Sequence, residues 1–185
     1  MLTAKRVGPG VLALIALACG PTAPETSRMD NSGLEATSEE SAEKVAGGGE
    51  FVHPALGRVT FGFTAKRHGN GRVSGVFFQN QHDLGFIYVG EVTCFAIDEV
   101  NHRAWIGGVL TYSNDPDPVT EVGDDAWFRV LDTGKRSSEP DRSTFMGFEQ
   151  PPPGIVTSEE YCQRQIWPDG NARTWPVVRG KIVIH

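Results

Sequence analysis

The chain has 185 residues, a net charge of −6 and 39% hydrophobic residues, which leaves room for one folded domain with extensions. Nucleic acids and anionic membrane surfaces are bound by clustered lysine and arginine, and a mildly acidic sequence lacks such clusters. The composition therefore predicts no nucleic-acid partner.

The N-terminus has the layout of an export signal. Two basic residues precede a short apolar run that cannot span a bilayer, and Cys19 follows directly. This order is typical of a bacterial lipoprotein signal peptide over residues 1–18, in which Cys19 is lipidated and becomes the mature N-terminus. We therefore expect an exported protein, anchored by its lipid to the cell membrane or the outer membrane, with its domain outside the cytoplasm. An ordinary signal peptide cleaved near Ala18 or Ala23 is the alternative.

Residues 19–50 are rich in small and acidic residues and carry a net charge of −5. Such a segment buries too little apolar surface to offset the entropy of ordering it. The sequence therefore predicts a disordered acidic tether over 19–50 and a folded domain over 51–185, whose net charge is −3.

Two cysteines, Cys94 and Cys162, remain when Cys19 is lipidated. An exported chain meets oxidising conditions, so the two remaining cysteines are predicted to form one disulfide. The alternative is two buried free thiols. The chain-entropy model gives a bridge over so long a loop a stabilisation of roughly 4 kcal/mol.

Apolar and polar residues alternate along most of the folded domain, which is the pattern of half-buried strands. The alternation and the turn residues predict strands over 58–66, 72–80, 84–97, 103–113, 125–132, 142–148 and 175–184. Asn70-Gly71 predicts a two-residue hairpin turn between the first two. A short helix is predicted near Thr157–Gln165, capped by Thr157 or Ser158. Because no helix separates consecutive strands, the fold class is all-β: a single antiparallel β-sandwich or small β-barrel of about seven to eight strands.

The domain resembles a family of small secreted or lipid-anchored bacterial β-domain proteins of no assigned activity. The residues that carry the resemblance are Phe61–Ala65, Asn70–Gly75, Val92–Cys94, Ala104–Val109, Ser113–Pro116 and Val130–Gly134. They cover nearly all of 51–185. The resemblance implies one β-domain with two recurring cysteines, and it implies no catalytic residue. The chain departs from the family pattern around Lys135–Pro140.

The richest polar cluster lies in one loop. Its members are Asn114, Asp115, Asp117, Asp124 and Asp125. Calcium prefers carboxylate and amide oxygens of this kind. However, Asn and Asp also bond their own backbone in turns, and this turn chemistry is the favoured interpretation, with no metal or other cofactor. Asp132 and Asp141 lie at the two ends of a second loop, and turn chemistry is the favoured interpretation of these residues as well.

The sequence carries no recognisable catalytic motif. Gly-x-Ser-x-Gly and His-Glu-x-x-His are absent from it. Its histidines are scattered at His53, His68, His82, His102 and His185. We therefore favour a non-enzyme. A hydrolase remains a lesser alternative, and it requires a histidine and a carboxylate that converge in a cleft.

The favoured function is a non-catalytic binding or structural module, with a protein or carbohydrate partner. Trp167 and Trp175 flank a predicted turn and are candidates for an exposed recognition pair. The main alternative is a β-barrel carrier of a small apolar ligand, whose cavity would be lined by Phe77, Phe86 and Tyr88.

Overall fold

The structure is a computed structural model that describes residues 43–145 and 155–185. The predicted signal peptide, the predicted lipidation site Cys19 and most of the predicted tether lie outside the described residues, as does the end of the strand predicted over 142–148.

Strands make up 53% of the structure and are its main regular element. The strands are β1 (Lys44–His53), β2 (Gly57–Arg67), β3 (Val73–Gln81), β4 (Phe86–Asp98), β5 (Arg103–Ser113), β6 (Asp125–Leu131), β7 (Arg142–Ser143), β8 (Trp175–Pro176) and β9 (Arg179–Ile184). One helix, α1 (Ser158–Arg164), lies between β7 and β8, and two short 3-10 turns cover Pro118–Thr120 and Asp169–Asn171.

The strands form one antiparallel sheet in the order β8-β7-β6-β5-β4-β3-β2-β1-β9. From β1 to β8 each strand pairs with its neighbours in the sequence, and β9 returns to pair with β1. The sheet is curled into a half-barrel. This confirms the all-β antiparallel prediction, although the strand count is nine rather than seven to eight.

The predicted tether ends too late, because β1 begins at Lys44 and includes three consecutive glycines. These glycines are needed for close packing rather than for flexibility. A Cβ at Gly47 would lie 2.9 Å from side-chain atoms of both Ile182 and Phe63, and a Cβ at Gly49 would lie 2.1 Å from the carbonyl oxygen of Arg179. Small residues therefore let β1 fit between β2 and β9.

Two further predictions differ from the structure. The last predicted strand is two strands, because the chain leaves the sheet after Pro176 and returns at Arg179. The turn at Asn70-Gly71 is a three-residue connection, since only Gly71 has a positive φ and the His68 amide donates to the Arg72 carbonyl at 2.9 Å.

Aromatic side chains fill the inner face of the half-barrel. The main cluster is built from Phe51, Phe61, Phe63, Phe77, Phe95, Phe128 and their aliphatic neighbours. Three strands separate β2, which carries Phe63, from β6, which carries Phe128, yet the two ring centroids are 5.2 Å apart. The sheet therefore curls far enough for opposite strands to pack directly against each other.

Helix α1 packs on the outer face, over β4, β5 and β6. Thr157 caps its first turn by accepting from the Glu160 amide, which confirms the predicted helix and cap. Cys94 and Cys162 form a disulfide with a Cα–Cα distance of 6.2 Å. Gly107 lets the helix approach, because a Cβ there would lie 2.8 Å from the carbonyl oxygen of Ser158 in α1.

Two aspartates satisfy amides on the outer edge of β9. The Ile182 amide donates to Oδ2 of Asp141 at 2.7 Å, and the Ile184 amide donates to Oδ2 of Asp132 at 3.3 Å. Each carboxylate also holds its own loop, since Asp132 accepts from the Gly134 amide and Asp141 accepts from Thr133. The predicted turn chemistry is present, and the same side chains also serve the edge of the sheet.

Candidate binding surface

The outer face of the sheet is only partly covered by the described residues. Helix α1 covers Trp105 and its neighbours, whereas the part formed by β3, β4 and the end of β5 is exposed. We call this set the outer apolar strip, which consists of the exposed Val76, Phe78, Ile87 and Tyr112 and the half-buried Val89. The pairing of Phe78 with Val89 and of Val89 with Tyr112 makes the strip continuous across three strands.

Phe78 and Tyr112 are the aromatic residues of the strip, with 43% and 48% of their surfaces exposed. The Phe78 ring lies over Gly62 of the neighbouring strand, where three ring atoms fall between 2.4 and 3.2 Å from the position of a Cβ. The missing side chain of Gly62 therefore leaves room for this ring on the sheet surface. A run of exposed apolar side chains is typical of an interaction surface.

An acidic groove adjoins the strip on the same face. It has a volume of about 360 Å³ and is lined by Pro118, Val119, Asp124, Asp125, Trp127 and Val156. Asp125 pairs with Val109, which in turn pairs with Glu91 beside Val76. The outer apolar strip and the acidic groove therefore belong to one continuous surface.

The loop that carries the groove is tied to the core by Tyr88. The Tyr88 hydroxyl donates a short hydrogen bond to the Asp115 carboxylate. Burial, and then the bond to Asp115, raise the pKa of Tyr88 above its usual value. Gln79 and Gln81 are buried beside Tyr88 on the inner face, so this end of the core is polar. The ionised phenolate is disfavoured there, and Tyr88 stays a donor at neutral pH.

The five weak metal candidates are used as hydrogen-bond acceptors. Asn114 accepts from the Ile87 amide, Asp115 from Tyr88 and the Asp117 amide, Asp117 from the Val119 amide, Asp124 from the Glu121 amide and Asp125 from the Ser158 amide. Among the residues that the structure describes, no group of three or more His, Cys, Asp or Glu side chains could hold a metal ion.

Trp167 and Trp175 do not form a shared exposed patch, because they pack in different clusters. Trp167 is half-buried against Trp105 at 5.7 Å, with the Arg103 guanidinium 4.7 Å from its ring centroid. Trp175 stacks on Phe51 at 5.9 Å in the main core. The sequence places both tryptophans close to the same turn, Asp169–Asn171, but it does not show which cluster each side chain joins.

The side chains of three described histidines bond to hydroxyls or to backbone. Nδ1 of His53 accepts from the amides of Ala55 and Leu56, and burial lowers the pKa of this histidine. His68 pairs with Ser74 and His82 with Thr60, both at 2.7 Å. The ion pairs formed within residues 43–145 and 155–185 all use arginine as the cation, so no His–carboxylate pair occurs there.

The residues proposed to line a carrier cavity lie in the packed interior. Phe77 and Tyr88 are buried, and Phe86 packs against the same cluster. Phe77 contacts Phe128 at 5.8 Å between ring centroids. A Cβ at Gly90 would lie 2.1 Å from the Phe77 ring, which indicates dense packing at that point.

In the described part of the chain there is no helix with the length and apolar character needed to cross a membrane. Comparison with family models, with curated proteins and with solved structures found no match to this chain.

Proposed function

We propose that this chain is an exported, non-catalytic binding module, anchored through a lipid on Cys19, that binds its partner with the outer apolar strip. The observation that carries the proposal is the strip itself. Five apolar side chains lie together on a face that the described residues leave open, whereas the inner face is filled. Partner-binding surfaces are enriched in aromatic residues such as Phe78 and Tyr112.

The disulfide supports the export half of the proposal. Cys94 and Cys162 are 68 residues apart and meet across the outer face. Disulfides persist in oxidising compartments and are rare in the cytosol. An anchored domain on an acidic segment stays near the membrane and can still reorient towards a partner.

The anchor is tested with Cys19→Ser. We expect the wild-type protein in the membrane fraction and the variant released from it, since a serine cannot carry the thioether-linked lipid. Intact-mass measurement should show the added acyl chains on the wild type alone. Thr22→Ala, a change in the same segment, should remain in the membrane fraction. Recovery of Cys19→Ser in that fraction would show that another feature holds the protein there.

The binding surface is tested by photo-crosslinking in the producing cell, with p-benzoylphenylalanine placed at Phe78 or at Tyr112. We expect a discrete crosslinked product from both positions. Val100, which is 89% exposed in the turn between β4 and β5, is the control position and should give none. A product from Val100 of equal yield, or no product from Phe78 and Tyr112, would contradict the proposal. A crosslinked glycan would identify a carbohydrate partner.

A further inference from the structure

The acidic groove combines apolar walls with a negative rim. Its walls are Pro118, Val119 and Val156, and the two valines have 64% and 75% of their surfaces exposed. Trp127 lines the groove as well, and its ring stacks on Tyr161 at 5.8 Å. The groove is shallow and open to solvent, and its volume of about 360 Å³ leaves room for one or two side chains.

The rim is negative because of Asp124 and Asp125. Each uses one carboxylate oxygen for a backbone amide, Oδ2 of Asp124 for Glu121 and Oδ1 of Asp125 for Ser158. Between residues 104 and 128 the sequence has five acidic residues and no lysine, arginine or histidine. The negative charge at the groove is therefore not neutralised by its own loop.

We infer that the groove binds a basic, partly apolar segment of a partner protein, with a lysine or arginine seated between Val119, Val156 and the two aspartates. Such a side chain matches the groove at both ends, because its methylene stem packs on apolar walls while its head reaches carboxylates. The Trp127 ring adds an attractive face for the cation. This inference rests on the proposed function, since the groove is part of the same outer surface.

Charge disfavours two other occupants. In a two-fold symmetric pairing through this face, a second copy would bring the same acidic rim against itself, and like charges across an interface oppose binding. The segment before β1, residues 19–43, carries a net charge of −5 and is disfavoured for the same reason. A basic segment is the occupant whose charge is complementary.

The test is titration of the lipid-free, disulfide-intact protein with short synthetic peptides, followed by NMR. A peptide of alternating lysine and valine should shift the signals of Val119, Asp125 and Trp127. Asp124→Asn combined with Asp125→Asn should weaken this binding about tenfold, the loss expected for two exposed ion pairs. Asparagine keeps an acceptor oxygen for each backbone amide, so the fold is preserved. Val156→Ser, at an exposed position, should weaken binding independently.

A matched control distinguishes a general effect of net charge on peptide binding from a specific effect of the groove. Glu99→Gln combined with Glu139→Gln changes the net charge equally at two exposed positions away from the groove and should leave binding unchanged. Equal binding of a lysine–serine or a glutamate–valine peptide, or equal loss in this control, would overturn the inference. If crosslinking at Phe78 succeeds while the lysine–valine peptide fails to bind, the proposed function stands and the partner has a different chemistry.

Discussion

Replacing Cys94 and Cys162 together by alanine is expected to lower the free energy of unfolding by about 4 kcal/mol. The bridge closes a loop with a sequence separation of 68, so its loss releases a large entropy in the unfolded chain. Urea denaturation of the variant and the wild type measures the difference. Dithiothreitol should destabilise the wild type by the same amount and leave the variant unchanged. Equal denaturation midpoints without reductant would contradict the prediction.

The same variant should loosen α1 before the rest of the domain. A helix of seven residues is too short to be stable alone, so tertiary contacts must hold it. Without the disulfide, the remaining contacts include the cluster of Trp105, Ile155 and Tyr161, the stacking of Tyr161 on Trp127 and the bond from the Ser158 amide to Asp125. Hydrogen exchange should therefore accelerate more at the Cys162 position than at Phe63 in β2. Uniform acceleration would mean that helix and sheet open as one unit.

Asp141→Ala is expected to cost about 3 kcal/mol. The substitution removes the acceptor for the Thr133 amide at 3.0 Å and for the Ile182 amide at 2.7 Å, while the Thr133 hydroxyl keeps the Glu139 carbonyl oxygen as its acceptor at 2.7 Å. Ile182 is buried, so its amide cannot turn to water, and a buried donor without an acceptor costs about 1–3 kcal/mol. Urea denaturation measures the loss.

Two variants make the Asp141 experiment specific. Asp141→Asn keeps one acceptor oxygen and should lose less stability than Asp141→Ala. Glu139→Ala changes an exposed side chain in the same loop and should have almost no effect. If Asp141→Ala lost as little stability as Glu139→Ala, the bond from the Ile182 amide to Asp141 would contribute nothing measurable.

The sequence pattern predicted most of the strands because period-two alternation follows directly from strand geometry. It could not predict which face turns inward. In β3, Val76 and Phe78 share one face and Phe77 and Gln79 share the other, and the polar residue lies on the buried side because it faces Tyr88. The outer apolar strip was missed for this reason.

The long strand β4 shows a second limit of the pattern. It carries apolar residues on both faces, as expected for a central or curved strand. The structure has register shifts after Val89 and again after Val92, and the second reverses the alternation so that Cys94 faces α1 while Phe95 faces the core. A bulge is set by pairing with β5, so residues of β4 alone cannot place it.

The acidic loops make long-range hydrogen bonds that local turn chemistry does not predict. The pattern correctly predicted that Asp132 would bond its own turn, at the Gly134 amide. Its bond to Ile184 joins residues 52 apart in the chain. Such a contact depends on how β9 returns to β1, which the alternation of residues in β9 does not encode.

The carboxylates of Asp132 and Asp141 have a consequence for encounters between copies of this chain. An edge strand with free amides is a template for strands of neighbouring molecules. In β9 the amides of Ile182 and Ile184 are already bonded to side chains that no approaching strand can displace without losing two charged hydrogen bonds. This edge of the sheet is thereby protected against intermolecular strand pairing.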